Sequence, residues 1–83
     1  MRVVVADDSV LLREGLVRIL TEDGLDVVGV ASDEDSALAV VAAAKPDLVV
    51  LDVRMPPTFS DEGIRTARQI RADHPANGVL LLS

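Results

Sequence analysis

Cysteine, tryptophan and tyrosine are absent from this 83-residue sequence, Phe59 is its only aromatic residue, and Lys45 and His74 are the sole lysine and histidine. Without cysteine there is no disulfide, no thiolate metal site and no cysteine nucleophile, which suits a reducing cytoplasm. With one aromatic there is no platform on which nucleobases could stack. Cationic charge is scarce too: eight Lys and Arg face fourteen Asp and Glu, for a formal net charge of -6, with no basic cluster. Direct binding to nucleic acid or to an anionic membrane is therefore not expected. No apolar run approaches the ~20 residues of a membrane span, and Met1-Arg2 leads straight into an extended segment with no signal-peptide core. The expectation is a soluble, cytoplasmic protein.

What is present is aliphatic. Hydrophobic residues make up 49% of the chain, mostly Val, Leu, Ala and Ile. That is enough for one small core, at a size where folding buries only about 60–65% of the unfolded surface. The runs Arg2 to Ala6, Asp26 to Ala31, Leu48 to Leu51 and Val79 to Leu82 are short and rich in aliphatic, mostly β-branched residues, and predict strands. Between them lie helical patterns. The first starts at Val10, carries apolar positions at Leu12, Leu16, Ile19 and Leu20, and runs out at Glu22-Asp23-Gly24, with Gly24 suited to a left-handed cap. Gly15 inside it is either a weak spot or a close contact. In the second, Ser32 is placed as N-cap, Ala37, Leu38, Val41 and Ala42 form the stripe, and Lys45-Pro46 makes the stop. The third is capped by Ser60-Asp61-Glu62, turns Ile64, Ala67 and Ile70 inward and Arg65, Arg68 and Arg71 outward, and ends at His74-Pro75, before a turn at Asn77-Gly78.

The order βαβαβαβ with short connections predicts an α/β fold with a parallel sheet and right-handed crossovers. In the flavodoxin-like strand order 2-1-3-4, strands one and three are neighbours. Asp7 and Asp8 then end one strand beside Asp52, which ends the other, with Ser83 at the end of strand four. Each residue has a plain alternative. Asp7, Asp8 or Ser9 can cap the first helix, Asp52 can cap its own loop, and Ser83 can be simply solvated. The triple shifts the balance, since three crowded carboxylates repel unless a cation neutralises them or one takes up a proton. A hard divalent cation such as Mg²⁺, held by carboxylates, water and a phosphate oxygen, is the simplest relief.

VVVADD at residues 3–8, LLREGLVRIL at 11–20, PDLVVLDVRMP at 46–56 and DEG at 61–63 together resemble the receiver domain of bacterial two-component response regulators. Within that family the likeness is to receivers that precede a LuxR-type helix-turn-helix. The resemblance implies that Asp52 is a phosphoacceptor, taking its phosphoryl group from a phosphohistidine on a sensor histidine kinase. It implies that Asp8 holds Mg²⁺ directly, Asp7 largely through water, and that the backbone carbonyl of Arg54 is a neutral ligand. It makes Ser83 the hydroxyl that hydrogen-bonds the phosphoryl group, and the first helix part of the kinase-docking face.

The family pattern continues through a fourth helix, a fifth strand ending in a lysine, and a fifth helix, so residues 1–83 are expected to form a partial receiver. Lys45, before strand three, cannot supply that lysine. Strand four is then an exposed apolar edge, and self-association through it is expected. The leading expectation is a Mg²⁺-dependent phosphoacceptor rather than an enzyme with a small-molecule substrate. The alternative is a truncated or degenerate receiver that acts by self-association without productive phosphorylation. A haloacid-dehalogenase-type hydrolase would want a carboxylate two positions after the nucleophile, where Arg54 stands, and no glycine-rich loop follows strand one to bind a dinucleotide.

Overall fold

Each aliphatic run becomes a strand and each interval a helix, in the order β1 (Arg2–Ala6), α1 (Val10–Glu22), β2 (Asp26–Ala31), α2 (Glu34–Ala44), β3 (Leu48–Asp52), α3 (Glu62–Asp73) and β4 (Gly78–Leu82). The structure, a computed structural model, describes residues 1–53 and 62–82. The expected Ser60-Asp61 cap lies outside them. The four strands are parallel in the order β2-β1-β3-β4, as expected. Val4 pairs with Val49 and Ala6 with Leu51, so the residues that follow Ala6 emerge beside Asp52. Asp52 is in turn paired with Leu82.

One face of the sheet packs Val4, Ala6, Val49 and Leu51 against Ala37 and Val41 of α2 and Ala67 and Ile70 of α3. The other buries Val3, Val5 and Val50 under α1, whose Leu16, Val17 and Leu20 are only half-buried. Helix α1 contributes no fully buried residue. Of its expected apolar positions, Leu16 and Leu20 rest on the sheet together with Val17, whereas Leu12 and Ile19 are 61% and 58% exposed. Similarly, Ile64 is exposed in α3 while Thr66 is buried, and Ala42 is exposed in α2 while Val40 and Ala44 pack. The Thr66 hydroxyl donates to Glu34 Oε2 at 3.2 Å, and Arg65 Nε reaches the same oxygen at 3.1 Å, joining α3 to α2.

The helix ends follow local chemistry. Gly24 is left-handed at φ 88, with its N–H on the Thr21 carbonyl and that of Leu25 on the Leu20 carbonyl, a Schellman closure. The cap of α2 is Asp33, one residue later than expected. Asp33 Oδ1 accepts from Ser36 N–H at 2.8 Å, and Ser36 Oγ accepts from Asp33 N–H at 3.2 Å, a reciprocal box that Ser32 does not form. The side chain of Ser36 first, and its backbone N–H second, hold the Asp33 carboxyl below the usual carboxylate range. The turn after α3 is closed from Asn77 N–H to the His74 carbonyl, earlier than the expected Asn77-Gly78 turn.

Candidate functional site

Parallel strands place all their carboxyl ends on one edge of the sheet, and the β1–β3 register brings the acidic residues together there. Carboxylate oxygens of Asp7, Asp8 and Asp52 all lie within 4.8 Å of one another. Asp7 is buried, at 5% exposure, while Asp8 and Asp52 are half-buried. The question of which residue caps α1 is resolved by Ser9, whose Oγ accepts from Leu12 N–H at 3.3 Å. With Ser9 as the cap, neither aspartate is spent on that role.

Asp7 is held on several sides. Its N–H donates to the Ala31 carbonyl at 3.0 Å, its Oδ1 accepts from Ser9 N–H at 2.9 Å, and its carbonyl accepts from Arg13 Nη1 at 2.9 Å. At Asp52 the support is backbone packing. Gly63, in the first turn of α3, lies so close to the Asp52 carbonyl and Val53 Cα that a Cβ there would collide with main chain, and its N–H donates to the Val53 carbonyl at 2.8 Å. Sequence reasoning assigned no role to Gly63 or Arg13. A glycine in a helical first turn could have signalled a close approach; nothing local marks Arg13.

Asp7 and Asp52 open onto a cleft of about 320 Å³, with Leu12, Leu16 and Leu82 as its apolar wall. The donor set suits a hard cation. Oxygens around an octahedral Mg²⁺ stand about 2.9 Å apart when adjacent and about 4.1 Å when opposite, so three carboxylates within 4.8 Å are close enough to serve one ion, directly or through a shell water. Arg54 and Ser83, expected as a carbonyl ligand and a phosphoryl partner, lie outside the described residues. Lys45 caps α2 ahead of β3, at the opposite end of the sheet from the carboxylates.

Residues 3–83 match the model of the response regulator receiver domain. The chain belongs to that family. Its similarity to a probable transcriptional regulatory protein, NarL of Mycobacterium tuberculosis, is 43% identity over 84 aligned residues, covering 100% of this chain and 38% of that protein. A solved structure of the NarL signal receiver domain superposes with a TM-score of 0.85 at 43% identity, over 96% of this chain and 63% of that one. The chain is also 39% identical to a protein-glutamate methylesterase/protein-glutamine glutaminase of Trichodesmium erythraeum, covering 99% of this chain but 23% of that protein. The receiver thus spans well under half the length of these curated relatives, one named as a regulator and one as an enzyme.

Proposed function

We propose that this receiver is a phosphoacceptor module of two-component signalling, with Asp52 taking a phosphoryl group from the phosphohistidine of a sensor histidine kinase in the cytoplasm. The observation that carries this reading is the convergence of Asp7, Asp8 and Asp52 within 4.8 Å at the carboxyl ends of β1 and β3. An Asp52 carboxylate oxygen forms the new bond to phosphorus while the bond from the imidazole nitrogen breaks, and the electron pair leaves with the imidazole. Asp8 and Asp52 would hold Mg²⁺ directly and Asp7 largely through water, with the Arg54 carbonyl as a neutral ligand. Bound Mg²⁺ supplies positive charge that offsets the carboxylates and the transferring phosphoryl oxygens. Ser83 would hydrogen-bond the phosphoryl group. Leu12, Leu16 and Leu82 line the cleft beside Asp52, and the exposed side chains of Val10, Leu11 and Leu12 suit the kinase-docking face.

The test is NMR of the chain with Mg²⁺ and beryllofluoride, a phosphoryl mimic, alongside Asp52→Asn. Shifts around Asp52 that vanish in the variant are expected. A folded wild type that ignores both additions would contradict the reading.

A second reading has its own observation. Leu80 and Leu81, on the outermost strand β4, are 50% and 40% exposed, an apolar edge that self-association would cover. On this reading the chain is a self-association module without productive phosphorylation. Light scattering over a dilution series checks it, and a folded monomer persisting at micromolar concentration would sink it.

A further inference from the structure

Of the contacts that hold Asp7, two come from its own turn and the adjacent strand: the Ser9 N–H and the Ala31 carbonyl. The third comes from a charged side chain on α1, where Arg13 Nη1 donates to the Asp7 carbonyl at 2.9 Å. Arg13 is half-buried, and beyond this contact it lines a groove with Val30, Ala31, Ser32 and Ser36. Arg18, further along the same helix, behaves as an ordinary surface cation: it is 82% exposed and pairs with Glu22 at 3.2 Å. Arg13 donates to main chain, giving the Asp7 carbonyl a charge-assisted hydrogen bond. That contact constrains the backbone at Asp7, one residue before Asp8, and it engages a carbonyl rather than a carboxylate oxygen.

We propose that Arg13 is the positioning residue of the acidic site: its guanidinium clamps the Asp7 carbonyl, so that the carboxylates of Asp7 and Asp8 are set for a divalent cation before it arrives. The inference rests on the reading of the site as a Mg²⁺ site. Partners that orient metal ligands typically change affinity by about 10–100-fold when removed, and preorganisation acts by lowering the ordering cost of binding.

The experiment is a Mg²⁺ titration of the 83-residue chain, followed by backbone amide shifts, for wild type, Arg13→Met, Arg13→Lys and Arg18→Met. Arg13→Met is expected to weaken Mg²⁺ binding about tenfold or more and to displace the Asp7 and Asp8 amides before any cation is added. Arg13→Lys, which keeps a charged donor, should recover most of the affinity, and Arg18→Met should bind as wild type does. A folded Arg13→Met variant with unchanged or tighter Mg²⁺ binding overturns the proposal while leaving the Mg²⁺ reading intact. Should that variant not fold, Arg13→Gln decides on the same criterion. A wild type that does not bind Mg²⁺ overturns the site reading and the positioning role with it.

Discussion

The two faces of the sheet are built differently. Under α2 and α3, Val4, Val49, Leu51, Ala37, Val41 and Ile70 are all fully buried, and Thr66 and Arg65 tie one helix to the other through Glu34. Under α1 the strand residues are buried, but the helix is not, and Val10, Leu11, Leu12 and Ile19 face outward. The packed face also presses Gly63 against the Asp52 main chain, while the open face supplies the cleft wall and the Arg13 clamp. A closely packed half positions the nucleophile candidate, and an apolar, accessible half faces outward beside it.

That contrast can be broken by mutation. Ile70→Ala on the packed face should cost about 2–5 kcal/mol, the range for emptying a buried aliphatic site, whereas Leu11→Ala, at 81% exposure, should change stability by less than about 0.5 kcal/mol. Chemical denaturation of the pair measures this, and equal costs would erase the distinction between the faces. A smaller effect sharpens it from the other side. Nothing lies within 4 Å of a Cβ built at Gly15, so it is the weak spot and not a close contact, and Gly15→Ala should stabilise the chain by about 0.4–1 kcal/mol in the same assay.

The smallest expected effect is at the α2 cap. The Asp33 carboxyl is held below its usual range by Ser36, so the charged form favours the folded state. Its contribution is present above the unfolded pKa of about 3.9 and is lost as pH falls through the lower folded value. Asp33→Asn, which keeps the capping oxygen but does not titrate, should therefore show a shallower loss of stability with acid below about pH 4. Parallel acid limbs for the two proteins would count against the Ser36 contact.

Much of this was readable in the chain, and the exceptions share a cause. Short aliphatic runs specify the strands, aspartates end two of them, and the strand order brings Asp7, Asp8 and Asp52 together without reference to side-chain detail. The face of α1 was not readable, because Val10, Leu11, Leu12, Leu16, Val17, Ile19 and Leu20 surround more than one side of the helix and periodicity cannot choose among them. Periodicity turns Ile64 inward on the same logic, yet Gly63 and Thr66 occupy that side because α3 sits close on Asp52 and meets Glu34. The α2 cap moved by one residue because Asp33 with Ser36 satisfies two backbone groups at once. Gly63 acts through main-chain contact with Asp52 and Val53, and Arg13 by reaching back across the turn to the Asp7 carbonyl, contacts that hydrophobic periodicity does not display.

The fold holds Asp7, Asp8 and Asp52 together against their mutual repulsion, and on the proposed reading a divalent cation joins them. The direct measurement is unfolding free energy with and without Mg²⁺ for wild type and Asp8→Asn. Without Mg²⁺ the variant should be the more stable by about 1–4 kcal/mol, the range for like charges a few ångströms apart between bulk water and a protein surface. With Mg²⁺ at ten times its dissociation constant the wild type should gain about 1.4 kcal/mol, and the variant much less. Equal stabilities without Mg²⁺, and no response to it in either protein, would contradict the account.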